Sequence, residues 1–147
     1  MKRLEFSVMI EANRPVVWDR MLADDAFRDW TSVFAEGSHF VGSWEQGARI
    51  RFMAPDGNGL SSRIAENRLH EYLSIEHLGY FLNGVEDTES DGVRSWAPAY
   101  ENYTFSDANG GTRVDVVMDA TDEIEAEMSQ KWPLALARLK EICEPGQ

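Results

Sequence analysis

The stretch MSQKWPLALARLKEIC, residues 128–143, decides the fold. Met128, Trp132, Ala135, Leu136, Leu139, Ile142 and Cys143 recur at steps of three and four, which gathers them into one apolar stripe along a helix. Ile124 keeps the spacing upstream, so the pattern predicts a helix over about 123–143. Pro133 sits inside it, where the missing N–H costs ~3 kcal/mol. Either the helix kinks there or its regular part begins there, and the upstream spacing favours the kink. A stripe this long requires an apolar face of matching size to cover.

The rest of the chain supplies that face as strands. Leu4, Phe6, Val8 and Ile10 alternate with Glu5, Ser7, Met9 and Glu11, the period of a half-buried strand. Asn13 is placed to cap a helix whose first turn holds Pro15 and whose inward face holds Val17, Trp18, Met21 and Leu22. A second short helix carries Phe27 and Trp30. From Gly37 the texture changes: GSHFVGS (37–43), ARIRFMA (48–54), LSSRIAEN (60–67) and EYLSIEHLG (71–79) are separated by turn residues. A longer acidic connection over 81–97 leads to the hairpin YENYTFS (100–106), DANGG, TRVDVVMDA (112–120). The expected architecture is α+β: a seven-strand antiparallel sheet wrapped around a long C-terminal helix, with two short helices after the first strand. Its 147 residues suit a single domain, 1–147, that buries on the order of two-thirds of its unfolded surface.

Composition narrows the function classes. Twenty-six acidic against fourteen basic residues give a net charge of −12, which repels phosphate backbones and anionic lipid surfaces. Nucleic acid is therefore not an expected partner, and no segment is apolar enough for membrane insertion. The single cysteine, Cys143, rules out an internal disulfide, and the N-terminus lacks the apolar run of a signal peptide. The cytoplasm is the expected location. DTESDG (87–92) begins like a calcium loop, but Pro98 stands where the bidentate glutamate belongs. His39, His70 and His77 lie on different strands without zinc spacing, and no G-x-S-x-G elbow occurs. Neither a metal nor a cofactor is expected, and Cys143 on an apolar helix face reads as inert packing.

RPVVWDRM (14–21), GGTRVDVVMD (110–119) and KWPLALARLKEIC (131–143), in this element order, resemble START-like, or SRPBCC, proteins, whose helix-grip fold is shared with the birch-pollen allergen. SWEQGARIRF (43–52), DGNGLSSRIAEN (56–67), LSIEHLG (73–79) and the EDTES loop followed by YENYTF are similar to a small bacterial single-domain branch of the group named for the activator of the heat-shock-protein ATPase. The resemblance implies a curved sheet around the long helix, with a cavity between them opening near the short helices. It also implies an apolar ligand such as a lipid, sterol or polyketide, and in a minority of members a cyclase or dehydratase. The eponymous co-chaperones carry an additional N-terminal domain for which these residues leave no room, so chaperone activation is not expected.

The aromatic residues Trp30, Phe34, Phe40, Trp44, Phe52, Tyr103, Phe105 and Trp132 are either plain core or the walls of that cavity. LSIEHLG poses the sharper question. Leu73, Ile75 and His77 share one face of a strand, two of them apolar, so the imidazole points inward. Pairing with the strand at 99–106 is expected to set Leu73, Ile75 and His77 opposite Phe105, Tyr103 and Glu101 in turn. His77 then meets Glu101, either as a structural lock on the hairpin or as a polar contact for a ligand. The expected ligand-binding set is Trp30, Phe34, Phe52, Ile75, His77, Glu101, Tyr103, Met118 and Trp132, with a small apolar molecule as partner. Under the enzyme alternative His77 and Glu101 form an acid–base couple. A second alternative is a protein-interaction or stress-response (co-chaperone-like) module, its protein partner unknown.

Overall fold

In the computed structural model, which describes residues 1–144, the apolar stripe is the inner face of one helix, α4, Asp122–Cys143. Trp132, Ala135, Leu136, Leu139 and Cys143 are buried along it, and Met128 and Ile142 pack against the same core. Ile124, at its start, is exposed. The helix runs through Pro133, so its regular part does not begin there. Pro133 and Ser129, whose carbonyl loses its partner, both lie on the solvent-exposed side of the helix. Each large apolar side chain buried on the other side contributes about 1.5–3 kcal/mol. Several such residues offset the ~3 kcal/mol of the proline. Asp122, Glu123 and Glu125 in the first turn suit the positive end of the helix dipole.

The elements precede α4 in the order β1 (Lys2–Ile10), α1 (Arg14–Leu22), α2 (Asp24–Trp30), a 3₁₀ turn (Thr31–Val33), β2 (His39–Gly42), β3 (Arg49–Met53), β4 (Gly59–Arg68), β5 (Tyr72–Leu82), β6 (Val85–Asp87), α3 (Asp91–Arg94), β7 (Ala99–Ala108) and β8 (Gly111–Ala120). Asn13 caps α1 by accepting the Val16 N–H at 3.2 Å. All pairings are antiparallel, and the sheet runs β1-β8-β7-β5-β4-β3-β2. Strand β6 is an eighth strand inside the stretch expected as a loop. It exists because β5 outruns β7: His77 pairs Ala99, and Tyr80–Leu82 beyond it pair Val85–Asp87 instead. Asn83 (φ 53°) and Gly84 (φ 79°) make the two-residue turn that folds β6 back. Asp87 then accepts the N–H groups of Glu89 (3.1 Å) and Ser90 (3.0 Å), and Ser90 caps α3. The calcium-like stretch is thus a turn and a helix cap.

Two irregularities govern what faces the helix. Along the β4–β5 pair, Ala65 is skipped in β4 between the pairs Glu66–Ser74 and Ile64–Ile75, and Leu78 is skipped in β5 between Ser62–His77 and Ser61–Gly79. The bulges cancel in register but shift the segment between them by one residue, which exchanges its faces. Ile64 and Ser62 therefore point inward and are fully buried. Arg63 points outward and pairs with Glu76 at 2.8 Å.

The far end of α4 is fastened to the start of the chain. The buried Glu144 carboxylate accepts the backbone N–H of Glu11 at 2.6 Å and the Lys140 ammonium at 2.6 Å. The backbone N–H of Glu11, then the Lys140 hydrogen bond, holds this carboxyl below its ordinary value of 4.5. A depressed folded-state pKa stabilises above the unfolded value and loses that contribution as pH falls through the folded one. Glu144→Gln is therefore expected to lower the melting temperature near neutral pH, with the difference from wild type vanishing well below 4.5. An undiminished difference in acid melts rejects the charged clasp. Beside it, burial pushes the Cys143 thiol up to about 12. Iodoacetamide is expected to leave Cys143 unmodified in the folded protein and to alkylate it in urea, as intact-mass measurement would read.

Candidate functional site

Between the inner face of the sheet and the first half of α4 lies a cavity of about 300 Å³. Its lining extends to α2 and to the β3–β4 turn. Helix α2 and the residues after it contribute Trp30 and Phe34, β3 Phe52, β5 His77, β7 Glu101 and Tyr103, β8 Met118, and α4 Trp132. Of the residues expected here, Ile75 does not line the cavity. It faces inward but is 1% exposed, paired between Ile64 on β4 and Glu101 on β7, one inward position deeper than His77.

Several lining residues were not anticipated: Phe27, Thr31, Leu60 and Met128 among them. Phe27 and Met128 already stood on the inward faces of their helices; nothing local to them tells core from wall. The aromatic residues divide between both readings. Trp132 sits among Phe6 (6.1 Å between ring centroids), Trp30 (5.9 Å), Phe34 (5.1 Å) and Tyr103 (6.1 Å). Phe40 and Trp44 pack behind Phe27, and Phe105 packs on Trp18 at 5.1 Å, so these three are core. Trp30 donates its indole N–H to the Met21 carbonyl at 3.0 Å, away from any ligand.

The β5–β7 register differs from expectation by one pair on the same face. Leu73 faces Tyr103, Ile75 faces Glu101 and His77 faces Ala99. An even shift leaves the inward set unchanged, and it lets Phe105 run on to reach Trp18 in α1. Ala99 leaves room beside the imidazole, which leans diagonally so that His77 Nε2 lies 3.1 Å from Glu101 Oε1. The other carboxylate oxygen accepts the Tyr103 hydroxyl. On its far side His77 Nδ1 lies 2.7 Å from the Ser62 hydroxyl, a partner the sequence reading missed because only the Ala65 bulge turns Ser62 inward. Ser62, His77, Glu101 and Tyr103 thus form one hydrogen-bonded chain along an otherwise apolar wall, with the Phe52 ring edge-on to the imidazole at 5.7 Å.

Both imidazole nitrogens are engaged. A neutral ring that donates from Nε2 to Glu101 and accepts the Ser62 proton at Nδ1 satisfies every partner. Ser62 is fully buried, so its loss strands one nitrogen. Ser62→Ala is expected to cost about 1–3 kcal/mol in urea unfolding. In a His77→Leu background the same substitution should cost markedly less. Equal costs in both backgrounds exclude the bond.

Among the described residues, no group of three or more His, Cys, Asp or Glu gathers to hold a metal ion, and no helix is long and apolar enough to cross a membrane.

Among solved structures, the fold is similar to protein MLL2253 from Mesorhizobium loti (TM-score 0.75, 11% identity, 99% of each chain covered). It is also similar to the Aha1 dimer from Colwellia psychrerythraea (TM-score 0.74, 18% identity, 100% of this chain and 99% of that one). A third similar structure is DynU16, a putative protein in the dynemicin biosynthetic locus (TM-score 0.69, 16% identity), of which the chain spans 49%. At these identities the likeness concerns the fold. Comparison with curated proteins finds no match. The family model described as activator of Hsp90 ATPase homolog 1-like protein matches residues 11–144, and the chain belongs to that family.

Proposed function

We propose that this protein binds a small, largely apolar molecule in the cavity between the sheet and α4. The observation that carries the reading is the cavity itself: about 300 Å³, walled by aromatic and methionine side chains, with one hydrogen-bonding pair facing in. That volume is at the small end of the ~300–1,000 Å³ of small-molecule sites, and such sites combine apolar walls with a few fixed polar groups. Trp30, Phe34, Phe52, Tyr103, Met118 and Trp132 supply shape and apolar area. Glu101 orients a polar group of the ligand, and His77, on the same wall, holds that carboxylate in place. Ile75 supports the wall from behind.

The hydrogen-bonded chain also raises acid–base chemistry of the cyclase or dehydratase kind. His77 is poorly placed for it, because neither ring nitrogen is free to meet a bound molecule. Any proton transfer would have to pass through Glu101 or Tyr103, and the binding reading needs no such step.

The neutral fluorophore N-phenyl-1-naphthylamine is expected to bind the purified protein with enhanced emission and energy transfer from tryptophan. Leu60→Trp, which adds an indole to the wall, should abolish that binding while preserving the cooperative melt. Absence of binding to the wild type, or binding unchanged by a filled wall, rejects the cavity as the site.

A further inference from the structure

We infer that the ligand of this cavity carries a positive charge, an amine or quaternary ammonium on an apolar body, and that Glu101 with the surrounding rings recognises it; the inference rests on the binding reading above. Among the described residues, Glu101 is the one whose carboxylate lines the cavity, and no lysine or arginine lines it. Lys131, whose ammonium bonds the Phe34 carbonyl at 3.1 Å, is committed to Glu127 at 2.6 Å. Both oxygens of Glu101 are held by neighbouring side chains, the Tyr103 hydroxyl on one and His77 Nε2 on the other. They fix the carboxylate in place. An ionised carboxylate has about four acceptor positions, and these two donors fill half of them.

The walls around that charge favour the same sign. Trp132, Trp30, Phe34, Tyr103 and Phe52 line the space, and aromatic faces attract cations through their quadrupoles, most strongly when desolvated. An acid-bearing ligand such as a fatty acid would have to bring a second carboxylate beside Glu101, with no lysine or arginine among the described lining residues to receive it. Like charges in such a space repel far more than in water. A neutral ligand gains the apolar contacts alone.

Three probes with one apolar body separate these cases: 2-naphthylmethyl-trimethylammonium, 2-naphthylmethanol and 2-naphthoate, measured by isothermal titration calorimetry near neutral pH. The ammonium is expected to bind tightest and the carboxylate weakest, at least about tenfold apart, with the alcohol between them. Glu101→Gln should remove the ammonium's advantage over the alcohol, the comparison being made between the two probes on the same variant. The protein's net charge of −12 draws cations to its exterior too, but that attraction is screened by salt, whereas a preference set inside the cavity persists as salt is raised. Naphthoate binding as tightly as the ammonium overturns the inference, as does a preference that survives Glu101→Gln or disappears in salt, while naphthylmethanol binding leaves the cavity reading standing. Failure of all three probes to bind removes both.

Discussion

Trp132 holds the helix and the sheet apart, and the rest of the site follows from that spacing. Its indole stacks on Phe6 at an interplanar angle of 20° and meets Phe34 edge-on at 66°, so strand β1 and the segment after α2 fix the ring from two sides. Lowering this end of α4 would drive the ring into Tyr103 and Phe6, an overpacking that close-packed interiors do not absorb cheaply. Further along the stripe the side chains become smaller, Ala135, Leu136, Leu139 and Cys143, and all are covered. A gradient of side-chain size along one helix therefore puts packed core at one end and a hollow at the Met128–Trp132 end.

What the hollow contains is set by the opposite wall, where the two bulges matter more than any single side chain. Counting pairs without interruption from Arg68–Tyr72 would set Arg63 beside His77, and an inward arginine there would need a buried counter-charge. Skipping Ala65 replaces it with Ser62, a neutral hydroxyl of the right length for Nδ1, and places Ile64 in the core. Skipping Leu78 restores the register. Local backbone irregularity thereby decides the polarity of the site.

The fold was largely legible because its signals are periodic. The stripe of α4, the alternation of β1 and the turn dipeptides each depend on residues a few positions apart, and they led to the right elements in the right order. Strand β6 has a signal as well: Asn83-Gly84 is the favoured dipeptide of a two-residue hairpin, but it stands at the head of an acidic stretch whose composition is that of a loop. The β5–β7 offset had no local signal. A long excursion joins those strands, so their register is fixed by distant packing, here Phe105 on Trp18. Ser62 stayed hidden for a related reason, since a bulge at Ala65 leaves no mark in an alternating pattern. The parity of His77 and Glu101 survived only because the error was even.

A histidine–glutamate pair facing an apolar space is not what stability alone would select. Desolvating the carboxylate costs several kcal/mol, and apolar side chains of similar volume are often as good or better in such a position. Here the cost is met by a complete chain of donors: Ser62 orients the imidazole, while the imidazole and Tyr103 each hold one oxygen of Glu101. The rotamers at both ends are confined, Ser62 by full burial and Tyr103 by its packing on Trp132. The ordering of this polar group is completed during folding, so an incoming molecule meets it already aimed, with little ordering left to oppose binding. The wedge of Trp132 makes the space, and the chain from Ser62 to Tyr103 gives it a direction.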